Sequence, residues 1–446
     1  MSATLLHTWL ETLSDAPDAA ALIDATTGRT HTRAELDAAA NAWHAQHAPL
    51  ARGHAIAFAE PNGPAWWQVF LGVLKSDAIA VLLDPGDPPA AQRATARSAG
   101  AGFLWSGGAL EPLAPRPRRP RDGRRLVKLT SGSTGEPRAL PFTDAEMLAD
   151  GRQLCAGMRI AADDVNLGLI PWGHSYGLGN LVLPLLLQGT PIVHGVAPIP
   201  HAIAAAVARS RATVFPAVPA LLQALAESSV APHELASLRT VISAGAPLAP
   251  DVARAFHAKF GRKVHNFYGS SETGGIAYDP TGDSAALRRG VGQPLPGVTL
   301  TFHRGKRFTV ASDAVFTLGN RRPGTHRMAD LGELDAAGEL VLLGRSGRTV
   351  KIAGRRLDLA EVERALRQLP GVRDAFVSPH ADRADALAAV VATDRPPAEL
   401  RVALRDQLAS WKIPKRLVAL PAFPLTVRGK TDTRRLSALL APSPPK

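Results

Sequence analysis

At 446 residues the chain is long enough for roughly two or three domains, and 46% hydrophobic with 20% charged residues describes an ordinary globular protein with a sizeable core. A single cysteine, Cys155, excludes an internal disulfide and suits a reducing compartment, with a buried small hydrophobe as its expected role. The net charge is +12, of which residues 346–446 carry +9 (19 Lys/Arg against 10 Asp/Glu), so an acidic partner is expected there or, failing that, a solubilising surface.

The N-terminus, MSATLLHTWLETLSDAPD, lacks a basic segment followed by an apolar one, and the apolar run Leu181 to Leu187 is too short to span a bilayer, so a cytoplasmic setting is expected. Thr32 with Glu35 three residues on predicts a capped helix to about His47. A strand at Ala55 to Phe58, a helix at Trp66 to Leu74 and a strand at Ile79 to Leu83 follow, the rhythm of a parallel sheet covered by helices. A Pro/Arg-rich linker, Ala114 to Arg125, leads to two short apolar runs, Leu126 to Leu129 and Ala139 to Phe142, that read as strands.

The α/β rhythm then resumes. Strands are expected at Val165 to Ile170, Pro191 to His194, Thr213 to Pro216, Thr240 to Ser243 and Lys263 to Phe267. Helices are expected from about Leu178 to Leu187, after Pro216 through Leu225, and from Asp251 to Phe260. Short β-runs at Val298 to Phe302, Arg307 to Val310 and Glu339 to Leu343 predict a small barrel or antiparallel sheet. Beyond Gly344-Arg345-Ser346-Gly347-Arg348 a separate small α+β unit begins with a helix capped at Asp358 and stopped by Pro370-Gly371. Strands at Val372 to Ser378 and Ala386 to Ala392 and a helix from Ala398 to Leu408 complete it.

Between the two short strands lies LTSGSTGEPRAL, Leu129 to Leu140, with four hydroxyl side chains, two glycines and one cation. Such a loop can turn backbone N–H groups and hydroxyls around a polyanion, although no Gly-Lys-Ser/Thr follows at the Walker spacing. Taken alone it could equally be a solvated linker. It is followed in order by PWGHSYG (171–177), SAGAPL (243–248), NFYGSSETGG (266–275), GVGQPLPG (290–297), RMADLGEL (327–334), GRSGRTVKIAGRRLDLAEVE (344–363) and LTVRGKTD (425–432). This set resembles the adenylate-forming superfamily of acyl- and aryl-CoA synthetases, nonribosomal peptide adenylation domains and beetle luciferase, over residues 15 to about 440.

The resemblance implies an α/β fold: a large N-terminal domain, 1–345, of layered mostly parallel sheets with a β-rich subdomain at about 290–343, then a small mobile α+β domain, 346–446. It implies an ATP- and Mg²⁺-dependent acid–thiol ligase that forms an acyl-adenylate and passes the acyl group to CoA or the phosphopantetheine of an acyl carrier protein. Thr130, Ser131, Gly132, Ser133, Thr134 and Gly135 would hold the β- and γ-phosphates with Arg138 as the cation, where the family usually has Lys followed by Gly. Tyr268 and the adjoining Gly269 would lie at the adenine and Ser271 at the α-phosphate. Glu272 would ligate Mg²⁺, a hard cation that favours carboxylate and phosphate oxygens. Asp330 would accept the ribose hydroxyls, and Arg345 would contact ribose or phosphate.

By the same resemblance, Lys430 would bridge the carboxylate and α-phosphate during adenylation, a point charge where negative charge accumulates. His174 would stand at the mouth of an acyl pocket lined by Ala244, Gly245 and Ala246. Gly347 falls at the family's hinge, where Asp or Lys is usual, and Gly354 would border the thiol tunnel. PWGHSYG resembles the acyl and aryl ligases, because no aspartate for an α-ammonium lies between Pro171 and Gly179. A luciferase-type oxidoreductase, a non-catalytic binding homologue and a nucleic-acid binder are the other readings. The linker's lack of interleaved aromatics counts against the last.

Overall fold

The computed structural model describes residues 3–114, 120, 122–131, 137–287, 289–345, 349–352, 355–381, 383–426 and 431–441. Two largely parallel sheets form the frame. The first has six strands, with Phe103–Ser106, Ala55–Phe58, Ile79–Leu82 and Leu126–Ser131 parallel to their neighbours and antiparallel strands at both edges. The second has nine; its parallel centre runs through Ala20–Asp24, Ile192–His194, Asn166–Leu167, Val214–Ala217, Thr240–Ser243 and Val264–Ser270.

Alternation along each strand sends successive side chains to opposite faces, and the core follows it. Ile56 and Phe58 face the space between the two sheets, where helices Leu5–Asp15, Arg33–Ala51, Pro64–Lys75 and Asp144–Met158 pack, while Ala55 and Ala57 face an outer layer with Ala96 of helix Pro89–Ser98 and Ala99 at its C-terminal cap. In the second sheet Val214 and Ile242 point into that shared core. Phe215 and Val241 meet helices Pro200–Ser210, Pro219–Glu227 and Pro250–Phe260 on the other side. Strands sandwiched between helices on both faces are apolar throughout, which is why they read as continuous hydrophobic runs.

The capped helix predicted after Thr32 forms with Thr32 and Glu35 as a reciprocal capping box and continues to Ala51. The two runs around LTSGSTGEPRAL form an antiparallel hairpin, with Thr130 opposite Arg138 and Lys128 opposite Leu140. The segment expected as one helix over 178–187 is divided: a short α-turn at Ser175–Gly177, a π-helical stretch Leu178–Val182 and an α-helix Leu183–Gln188. Such a widened turn displaces the ladder by a residue. The Val165–Ile170 run shortens to a two-residue strand, Asn166–Leu167.

Residues 299–345 form a four-stranded antiparallel sheet, Thr299–His303, Arg307–Ala311, Thr325–Leu334 and Leu340–Arg345. In the C-terminal part a hairpin, Thr349–Ile352 with Arg355–Asp358, precedes helix Leu359–Gln368 and the sheet Val372–His380, Arg383–Thr393 and Arg416–Leu420. These elements share their own hydrophobic core. The helix expected to reach Leu408 ends at Ala403 and tightens into a 3₁₀ turn, Leu404–Asp406. Among the described residues no helix is long and apolar enough to cross a membrane.

Candidate active site

The C-terminal ends of the parallel strands carry four of the eight singled-out motifs, the place where open α/β sheets bind ligands. On the hairpin, period-2 alternation puts Lys128, Thr130 and, from the partner strand, Arg138 on one face. The Arg138 guanidinium stands 6.0 Å from the centre of the Phe316 ring, whose other neighbours are His326 and Phe142 at centroid distances of 6.0 and 6.2 Å. The Phe316 amide in turn donates to the Glu272 carbonyl at 3.2 Å. These contacts bring Arg138, Glu272 and His326 into one neighbourhood.

Glu272 sits in the turn between strands Val264–Ser270 and Gly274–Tyr278. Among the described residues its carboxylate has neither hydrogen bond nor ion pair, whereas its charge acts on Lys128, Tyr268, His326 and Arg345. Behind it the turn is pinned. Asp150 Oδ1 accepts the Gly275 amide at 3.0 Å, and the carboxylate occupies the space where a Cβ on residue 274 would lie. Gly274 also has φ +68°, so only glycine fits both constraints.

Tyr268 and Asp330 are joined directly: the phenol donates to Oδ2 at 2.6 Å, while Arg345 Nε donates to Oδ1 at 3.0 Å. Burial and the neighbouring Asp330 charge hold the Tyr268 hydroxyl well above its ordinary value, so it remains a donor. Asp330 in turn holds the Arg345 guanidinium above its ordinary range. Asp330 lies on strand Thr325–Leu334. Gly269 adjoins Tyr268 on its strand, and Ser271 Oγ accepts from Ser175 Oγ at 2.9 Å. That bond ties PWGHSYG to NFYGSSETGG.

His174 Nε2 lies 3.3 Å from Asp84 Oδ2 at the end of a strand of the other sheet. Its loop is clamped by Asn62, which donates to the Ile170 carbonyl at 2.9 Å and accepts the Trp172 amide at 2.9 Å. The second glycine of PWGHSYG permits a close approach: a Cβ on Gly177 would stand 2.1 Å from the Pro171 carbonyl oxygen. Tyr176 donates to the Ala217 carbonyl, which also accepts the Ala244 amide at 3.2 Å, and its ring lies 5.8 Å from Phe267; Gly245 and Ala246 follow Ala244 in the loop after strand Thr240–Ser243. Cys155 is buried, and burial pushes its thiol up to about 12, which leaves it protonated and unsuited to nucleophilic work.

Gly132, Ser133, Thr134, Gly135, Gly347, Gly354 and Lys430 lie outside the described residues, as does the side chain of Ser131. Sequence reasoning missed Asn62, Asp84, Lys128, Glu146, Asp150, Ser175 and His326. Of these, Lys128, in the run Leu126 to Leu129, and Ser175, inside PWGHSYG, stood in stretches already singled out.

Comparison with known proteins identifies the family. The AMP-binding enzyme model matches residues 109–302 and the AMP-binding enzyme C-terminal domain model matches 361–430. The chain is similar to a linear gramicidin synthase of Brevibacillus parabrevis, 28% identical over 95% of this chain and 6% of that protein. It is also similar to the 2-hydroxy-7-methoxy-5-methyl-1-naphthoate–CoA ligase of Streptomyces carzinostaticus, 29% identical over 70% and 62%. The chain thus spans less than two thirds of either relative. Its fold matches the ATP-bound crystal structure of MatB from Rhodopseudomonas palustris, with a TM-score of 0.84 at 22% identity over 98% of this chain and 99% of that one. With two models that together span more than half of its length, the chain belongs to the AMP-binding, adenylate-forming enzymes.

Proposed function

We propose that the protein is an ATP-dependent acid–thiol ligase. The acid carboxylate attacks the α-phosphorus of ATP and pyrophosphate leaves; a thiol then attacks the adenylate carbonyl carbon and AMP leaves. The single observation that carries this reading is the convergence of Thr130, Arg138, Glu272, Tyr268 and Asp330 around one site, with donors and carboxylates suited to a nucleoside triphosphate and its cation. Phosphoryl transfer is mainly a matter of positioning and of neutralising charge, and these groups are of the right kind for both.

In this reading Asp330 accepts the ribose hydroxyls while Tyr268 and Arg345 fix its orientation, and Arg138 with the loop 130–135 attracts the β- and γ-phosphates. Glu272 is the group that would hold Mg²⁺: one hard-oxygen donor, unpartnered among the described residues, fits a cation that takes one or two carboxylates and completes its shell with phosphates and water. When bound, the ion would screen the phosphate charge. Ser271 is assigned to the α-phosphate, His174 to the mouth of the acyl pocket, Ala244, Gly245 and Ala246 to its lining, and Lys430 to the transferring group. Rotation of 346–446 about Gly347 would then bring Gly354 to the thiol path, since two reactions at one site need a rearrangement between them.

The acceptor is CoA or a carrier protein attracted by the +9 of the last section, and the setting is cytoplasmic. The naphthoate–CoA ligase and the gramicidin synthase among the relatives support the acid–thiol class. The test is pyrophosphate release across a panel of aryl and fatty acids, with CoA and with holo carrier protein in turn. Acid-dependent release followed by thioester is expected; ATP left intact with every acid overturns the proposal.

A further inference from the structure

Lys128 is the largest charged side chain fully enclosed in the described part of the protein, 1% exposed on the strand that leads into the phosphate loop. Its ammonium lies 3.6 Å from Asp150 Oδ2, an ion-pair distance beyond a hydrogen bond, and 4.2 Å above the Phe142 ring. Among the described residues the nitrogen has no hydrogen-bond partner. A buried ammonium without one is costly, and such groups call for an explanation.

The explanation lies in the carboxylates around it. Asp150, 2% exposed, pins the turn carrying Glu272 through the Gly275 amide. Glu146, 3% exposed, accepts the Thr317 amide at 2.8 Å and the Thr143 amide at 2.8 Å, anchoring the segment that holds Phe316. Both anchors are needed as acceptors, and with Glu272 they place three negative charges around a site for a polyanion. Burial disfavours the ammonium, whereas Asp150, Glu146 and Glu272 favour it.

We propose that Lys128 is a buried counter-charge for the triphosphate: a positioning residue that never touches nucleotide but cancels the field of the two anchoring carboxylates. It shares a strand face with Thr130 two residues on, a spacing of about 7 Å. At an effective interior dielectric of about 20, a unit charge at that range changes affinity by roughly one to two orders of magnitude per interacting charge. The inference rests on the nucleotide site proposed above, and its test reads nucleotide binding without any acid.

Lys128→Met keeps the side-chain length and removes the charge. By calorimetric titration it is expected to bind ATP about tenfold or more weakly, and AMP nearly unchanged, because the effect scales with phosphate charge. Asp150→Asn keeps an acceptor for Gly275 and removes one anionic charge, so it should bind ATP more tightly; the double variant should recover most of what Lys128→Met loses. Equal losses for ATP and AMP, or no recovery in the double variant, overturn the inference in favour of packing alone. Should Lys128→Met fail to fold, unchanged ATP binding by Asp150→Asn overturns it as well. Wild-type protein that binds no ATP would instead refute the nucleotide site itself.

Discussion

Replacing Tyr268 by phenylalanine removes one oxygen and leaves the ring packing in place. The lost bond is a 2.6 Å donation to a carboxylate whose side chain is 17% exposed, while the other clamp on Asp330 comes from Arg345, 72% exposed and so screened by solvent. A hydrogen bond to a charged group contributes about 1.5–3 kcal/mol. An ionised carboxylate has about four acceptor positions, so both clamps leave room for a ribose diol. If the orientation is lost in full, ATP affinity should fall about tenfold to a hundredfold, at about 1.4 kcal/mol per decade. Calorimetric titration with ATP and with 2′-deoxy-ATP reads this directly. The penalty for the missing hydroxyl should shrink in the variant, and KM for the acid should hold. Unchanged ATP affinity, or an equal rise in KM for the acid, would refute the role given to this pair.

Lys430→Ala should depress adenylate formation far more than capture of a supplied acyl-adenylate; equal loss in both half-reactions counts against its assignment. Gly177→Ala forces a Cβ onto the Pro171 carbonyl, and overpacking of this kind destabilises by about 1–3 kcal/mol. The urea midpoint should fall accordingly, and adenylation should drop because the His174 loop is displaced; an unchanged midpoint would show that the loop yields freely. Burial holds His47, His194, His265 and His326 below the usual histidine value. A base depressed by folding binds fewer protons in the native chain, so stability is full above about pH 6.5 and falls as pH drops toward the folded-state values. Unfolding free energies from urea titrations at about pH 7.5 to about pH 5.5 should decline with a slope of up to about 1.4 kcal/mol per pH unit per histidine, and a flat profile refutes the burial argument.

Local chemistry was legible in the sequence wherever a few adjacent residues decide the conformation. The Thr32/Glu35 capping box, the strands around LTSGSTGEPRAL and the helix after Asp358 each depend on spacing within one turn or one pleat. The order of motifs likewise pointed to the family, because eight short motifs in one fixed order are far more specific than any one of them alone.

What the sequence could not disclose is which charges face one another across the fold. Lys128 in an apolar strand looks like an error in the pattern until helix Asp144–Met158 brings Asp150 and Glu146 against it. Asp84 and His174 are ninety residues apart and meet only because the end of one sheet faces a loop of the other. Asp330 gains its partners only when strand pairing sets it opposite Arg345 and within reach of Tyr268. Backbone preference is a short-range property and survives in the one-dimensional string; electrostatic partnership falls off with distance through space, so only the packed chain determines it.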